Sequence, residues 1–265
     1  MLDFDLNLSI LFTELPLLVR PEAAARLGFR AVEFWWPFAT ATPADAEVDR
    51  FVAAVSGAGL RLAALNFYAG DMAAGERGIV SAPGRCDELA DSVSIAVGIA
   101  DRLGCRTFNA LYGNRIAGVD PSEQDETALL NLSAAAKSVA AIGGTIVLEP
   151  LSAAPDYPLR TAADALAVAD RVGADNVRLL ADLYHLTVNG DDLDALATAL
   201  THRVGHVQIA DAPGRNQPGS GVIDLRGHLE ALHRNGYRGH VGVEYRPSGA
   251  SADSFGWLDT FWRKP

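Results

Sequence analysis

The sequence predicts an α/β chain folded as a (β/α)8 TIM barrel, and three observations carry that prediction. Apolar strand-like runs and helical stretches alternate eight times within 265 residues. No linker or shift in composition divides them. The glycine-rich phosphate turn expected after the first strand of an open doubly wound sheet is missing. Strict alternation implies parallel strands joined by right-handed crossovers, and eight such units close more readily than they spread into an open sheet. The whole chain, 1–265, is expected to form one barrel domain.

Residues 6–12 (LNLSILF) read as the first strand, and 16–27 as a helix with Pro21 early and Gly28 as its stop. A second strand, AVEF at 31–34, runs into Trp35, Trp36, Pro37 and Phe38, an aromatic run that suits a pocket wall or packing against the C-terminal tail. Residues 43–58 form a helix with Thr42 as cap, and RLAALNF at 61–67 forms the third strand, ending on Asn66. The long loop 68–85 is too rich in Gly and Ala to pack alone, and a loop of this length in a compact domain is usually functional. A helix over 86–103 precedes the fourth strand, which carries Asn109 near its end. Asp120 caps a helix over 121–142. The remaining strands are TIVLEP, VRLLAD, VGHVQIAD and HVGVEY, separated by helices over 161–172, 191–202 and 224–235. The tail forms one more helix using Trp257, Phe261 and Trp262.

Composition narrows the functions. The chain is 49% hydrophobic and 21% charged, as folded soluble domains are, with a formal net charge of −11. That acidity disfavours nucleic acid and anionic membrane as partners. Two cysteines without metal spacing fit a reducing compartment. The acidic N-terminus is unlike a signal peptide, and no apolar run reaches the ~18 residues that span a bilayer. The expected location is the cytoplasm. Homo-oligomerisation is compatible with the aromatic segments, as is packing within one chain.

The last four strands each deliver one oxygen-bearing side chain: Glu149, Asp182, Gln208 and Glu244. In a barrel, strand carboxyl ends line the active site, and Glu33, Asn66 and Asn109 join the same rim. Several buried carboxylates repel one another unless a cation holds them, and no lysine lies in these strands. An all-oxygen set favours Mg²⁺ or Mn²⁺. Two coordination positions would remain for adjacent oxygens of a hydroxy-carbonyl compound. Glu149 and Glu244, on strands five and eight, would then move a proton between neighbouring carbons, or return it to the same carbon from the other face. His185, three residues after Asp182, is a substrate-binding candidate, and His206 a satisfied core histidine. Arg77, Arg115 and Arg215 occupy rim loops, where any could clamp a substrate carboxylate.

At these residues the chain resembles the hydroxypyruvate isomerase family of the xylose isomerase-like barrels. The matching stretches are NLSILF (7–12), GFRAVEF (28–34), AGDMAAGERG (69–78), PGR (83–85), LEP (148–150), DLYH (182–185), GHVQIADAPGRNQPGSG (205–221) and GYRGHVGVEYRP (236–247). The resemblance implies metal binding at Glu149, Asp182, Gln208 and Glu244, with Glu149 and Glu244 as the acid–base pair. It further implies conversion of hydroxypyruvate to tartronate semialdehyde; a close relative in the family isomerises 2-oxo-tetronate. A ketose 3-epimerase is a further alternative, although sugar epimerases of the superfamily usually place histidine on the strand of Gln208. This chain departs from the family pattern in a short loop after strand five with Ser152 for asparagine, in Leu65, and in Val222 for glutamate. A DNA-repair endonuclease on the same barrel would need a histidine-rich multi-zinc site and a basic face.

Overall fold

Eight parallel strands close on themselves in sequence order, β1 pairing with both β2 and β8. They are β1 Asp3–Asn7, β2 Ala31–Phe34, β3 Arg61–Asn66, β4 Thr107–Asn109, β5 Thr145–Leu148, β6 Val177–Asp182, β7 Val204–Ile209 and β8 His240–Val243. The computed structural model describes residues 2–262. Helices α1 Arg20–Arg26, α2 Asp45–Gly57, α3 Cys86–Leu103, α4 Pro121–Ala140, α5 Ala162–Val172, α6 Leu183–Asn189, α7 Leu193–Ala199, α8 Leu225–Arg234 and α9 Trp257–Trp262 surround the barrel.

Buried apolar strand residues pack outward on the helix layer. Phe34 meets Phe51 of α2 edge to face at 5.0 Å, while Phe67 and Phe108 stack at 5.4 Å between adjacent strands. Leu6, Val32, Phe108, Ile146, Leu179, Val207 and Val241 are fully buried, and each such side chain contributes roughly 1.5–3 kcal/mol. Phe255, just before the tail helix, meets Phe29 at 5.4 Å, and Trp257 meets Phe4 edge to face at 5.5 Å. The packing expected of Phe261 and Trp262 lies outside the described side chains. Among the described residues no helix is long and apolar enough to cross a membrane.

Three expectations need correction. The first strand is Asp3–Asn7, not 6–12: the Asn7 side chain accepts the Ser9 N–H, and the Leu11 N–H returns to the Asn7 carbonyl. This side-chain-closed turn ends the strand although the apolar alternation runs on. An extra helix, α6, begins directly at Asp182, whose carboxylate caps it, and Gly190 stops it in the left-handed region. Thr42 does not cap α2; the Glu47 carboxylate instead accepts the Ala44 N–H. Asp120 does cap α4, accepting the Ser122 N–H.

Thr161 and Asp164 form a reciprocal box at the start of α5, each side chain accepting the other's backbone N–H at 3.1 and 2.9 Å. Thr161→Ala should therefore cost about 1 kcal/mol. Thermal unfolding should show a midpoint lower by about 2–4 °C. An unchanged midpoint would mean that the cap adds nothing to this helix.

Candidate active site at the carboxyl ends of the strands

The barrel brings Glu33, Glu149, Asp182, Gln208 and Glu244 to one end with at most 5% of each exposed. Each is held by a local reason. Asp182 ends β6 and caps α6, so its Oδ1 accepts the N–H groups of Tyr184 and His185. That leaves Oδ2 turned into the site, buried and without a hydrogen-bond partner. Glu149 comes directly after β5. The Tyr157 hydroxyl pins its carbonyl at 3.0 Å, and Asn109 donates to its Oε2 at 2.6 Å.

Gln208 donates both amide hydrogens to carboxylates, to Glu33 Oε1 at 2.7 Å and to Glu244 Oε2 at 2.5 Å. Two acceptors on the nitrogen fix the amide's orientation. Its Oε1 is the free atom, buried and unpartnered. Asn7 repeats the arrangement, donating at 2.9 Å to the same Glu33 and Glu244 oxygens. The sequence pattern does not single out Asn7, because a strand over 6–12 places it near the start of β1 rather than at its tip.

Electrostatics follow from burial. Burial and Asp182 push Glu149 up to about 8. Burial also carries Glu244 well above the usual carboxylate range, against the pull of Arg215. Burial opposes the charge on Glu33 too, yet His206, Gln208 and Asn7 hold it below its ordinary value. His206 Nε2 lies 2.6 Å from Glu33 Oε2, as a satisfied core histidine should. Beneath them Asp5 is fully buried and is driven well up by burial and by Glu33.

His185 sits over the cluster, its Nε2 at 3.6 Å from Asp182 and 4.0 Å from Glu149. The Ser152 backbone N–H donates to its Nδ1 at 3.0 Å. A backbone N–H can only donate, so Nδ1 carries the lone pair. Burial brings the ring's pKa down to about 4, so at neutral pH the single proton is on Nε2. His185 thus presents a hydrogen-bond donor rather than a metal-ligating lone pair.

A cavity of about 540 Å³ opens on these groups, lined in part by Trp35, Asn66, Arg77, Ser152, His185 and Arg215. Arg77 donates to the Met72 and Glu76 carbonyls, which steadies it in the wall. Asn109 reaches the site through Glu149 rather than lining the cavity. Arg115 is tied to Asp125 at 2.8 Å and is not in the lining. Trp35 is a cavity wall, and Trp36 packs on Phe38 and Tyr68.

The loop 211–223 delivers Arg215. Asp211 gathers the N–H groups of Gly219, Gly221 and Ile223, and a Cβ at Gly221 would strike the Ala212 carbonyl at 1.9 Å. Arg215 Nη2 lies 2.5 Å from Glu244 Oε1 and 3.7 Å from Asp182 Oδ2.

The donor set suits a hard divalent cation. It offers carboxylates and an amide oxygen, and two of its atoms are buried orphans that something must satisfy. Glu149, Asp182, Gln208 and Glu244 could hold such an ion. On the metal-free protein, ¹⁵N NMR of His185 at neutral pH should show an unprotonated Nδ1 and a protonated Nε2. The opposite tautomer would remove it as a donor into the cavity.

The sequence profile described as xylose isomerase-like TIM barrel matches residues 21–261. A provisionally named hydroxypyruvate isomerase of Streptomyces coelicolor is 49% identical, over 96% of this chain and 95% of its own. The Escherichia coli hydroxypyruvate isomerase is 34% identical, over 98% of this chain and 100% of its own. The 2-oxo-tetronate isomerase of Haemophilus influenzae is 33% identical, over 97% and 98%. A crystal structure described as AP endonuclease, family 2, from Brucella melitensis superposes with TM-score 0.90 at 35% identity, covering 100% of both chains. This chain belongs to the xylose isomerase-like TIM barrel family and is an enzyme of the isomerase type.

Proposed function

We propose that the protein is a divalent-metal-dependent isomerase of a small hydroxy-keto acid, with hydroxypyruvate as substrate and tartronate semialdehyde as product. The observation that carries this reading is the pair of buried glutamates, Glu149 and Glu244, flanking two unpartnered oxygens, Asp182 Oδ2 and Gln208 Oε1. The relatives named for hydroxypyruvate and 2-oxo-tetronate support a keto acid as substrate.

Mg²⁺ or Mn²⁺ held by Glu149, Asp182, Gln208 and Glu244 would supply Lewis-acid polarisation of the substrate carbonyl. The protein's own groups do the rest. One glutamate takes a proton from C3 of hydroxypyruvate, leaving an enediolate across C2 and C3, and the other returns a proton to C2. The hydroxyl proton on O3 passes to O2, so C3 becomes the aldehyde and C2 the carbinol. Asn109, Asn7 and Gln208 hold the two carboxylates in place, so that little reorganisation accompanies the transfer. His185 Nε2–H, Asn66, Arg77 and Arg215 face the cavity as donors for the substrate's oxygens and carboxylate.

The endonuclease name of the Brucella structure is not supported by this site. The four proposed ligands are oxygens, His185 presents a donor to the cavity, and the chain carries a net charge of −11. A second reading, 2-oxo-tetronate as substrate, rests on the relative named for it, and the cavity of about 540 Å³ has room for one more carbon.

Glu149→Gln and Glu244→Gln should each lower kcat by about 10²–10⁴-fold while circular dichroism stays unchanged. Either variant keeping most of its activity would remove that residue from the acid–base pair. Chelation should abolish turnover, and Mg²⁺ or Mn²⁺ should restore it. Proton NMR in D₂O, with hydroxypyruvate and 2-oxo-tetronate tried separately, should show deuterium entering product with the metal present. The preferred acid is the one with the larger kcat/KM, and exchange with neither would refute the isomerase reading.

A further inference from the structure

The carboxylates at the mouth already have a cation beside them. Arg215 Nη2 touches Glu244 Oε1 at 2.5 Å and stands 3.7 Å from Asp182 Oδ2, the orphan oxygen of the candidate ligand set. The guanidinium carbon lies 5.5 Å from the ring centroid of Tyr184, and the side chain is 16% exposed. Its Nε is buried without a partner, so the fork is held by charge rather than by a complete set of hydrogen bonds. The backbone around it is fixed: Arg215 is in the left-handed region at φ 55°, and its carbonyl accepts the Arg246 N–H at 2.7 Å. The rotatable side chain is therefore the part free to move.

A divalent cation bonded to Glu244 and Asp182 needs the same oxygens and would lie within a few ångströms of the guanidinium. Two like charges at such a distance repel strongly in a site sheltered from water. The geometry points to Arg215 as a resident counter-cation that competes with the metal for Glu244 and Asp182, balancing these carboxylates by itself and swinging into the cavity when the metal enters. This rests on the metal-binding reading above. Arg215 then lowers the affinity of the site for metal while stabilising the metal-free fold. Metal entry also frees a guanidinium inside the cavity, where a carboxylate substrate must bind, so an acid is clamped only in a loaded site.

Calorimetric titration of Mn²⁺ into wild-type and Arg215→Met protein tests the competition without any turnover. The variant should bind Mn²⁺ at least tenfold more tightly. In chelator its thermal midpoint should lie below that of the wild type, and saturating Mn²⁺ should close or reverse the gap, because a ligand stabilises in proportion to its affinity. If metal-free Arg215→Met does not fold, the unmodified protein still answers. Phenylglyoxal labelling of Arg215, read by peptide mass spectrometry, should be faster with Mn²⁺ than in chelator. Equal or weaker Mn²⁺ affinity in the variant, or labelling that Mn²⁺ leaves unchanged or slows, would overturn the competition while leaving the metal site standing. Failure of the wild type to bind Mn²⁺ at all would bring down the metal reading and this inference with it.

Discussion

Placing carboxylates where water cannot reach them is the constraint to which the mouth of this barrel answers. Glu33, Glu149, Asp182 and Glu244 are all nearly inaccessible, and an ion moved out of water without compensation costs several kcal/mol. Compensation comes in layers. Deepest, Asp5 is pushed well up, which favours its uncharged form beside Glu33. Above it His206 faces Glu33 directly. Then two amides, Asn7 and Gln208, bridge Glu33 to Glu244, spending every N–H on a carboxylate oxygen. Uppermost, Arg215 lies against Glu244 and near Asp182.

Those layers also dictate which positions must be small. A Cβ at Gly242 would lie 2.7 Å from both Glu33 oxygens, so β8 is glycine where Glu33 crosses it. A Cβ at Gly78, whose φ is +103°, would lie 1.9 Å from the Leu111 carbonyl, and this close crossing holds the long loop that carries Arg77 against the rim. The loop motifs are thus explained by contacts with the site and its wall. Glu76 accepts the Asp71 N–H and pairs with Arg85, Asp211 gathers three backbone N–H groups, and the glycines admit the close crossings.

Much of this architecture is legible in the chain. The strand tips at Glu149, Asp182, Gln208 and Glu244 can be read because each stands at or near the end of a mainly apolar run. The cap at Asp120 can be read because its chemistry is local. Features that escape such a reading depend on register or on distant partners. Asn7 lies inside an apolar alternation that continues through Phe12, so nothing in the local pattern marks it as a tip; the turn closed by its side chain and carbonyl on the Ser9 and Leu11 N–H groups ends the strand. Helix α6 is hidden because Asp182 is both the last residue of β6 and the cap of the helix after it, leaving no loop between them. The roles of the arginines separate only in three dimensions: Arg115 turns to Asp125, while Arg215 turns inward.

The positions where this chain departs from the family pattern are likewise separated by the fold. Leu65 is fully buried in the apolar core, and Val222 is 81% exposed outside the cavity lining. Neither lines the cavity. Ser152 lines the cavity, and its hydroxyl lies 2.7 Å from His185 Nδ1. A serine so engaged has no amide to offer a ligand, where the longer asparagine of the pattern would project one. The cavity is also lined by the imidazole of His185, the guanidinium groups of Arg77, Arg215 and Arg246, the Asn66 amide and the Tyr184 hydroxyl. The first four bring donors only, while Asn66 and Tyr184 can donate or accept.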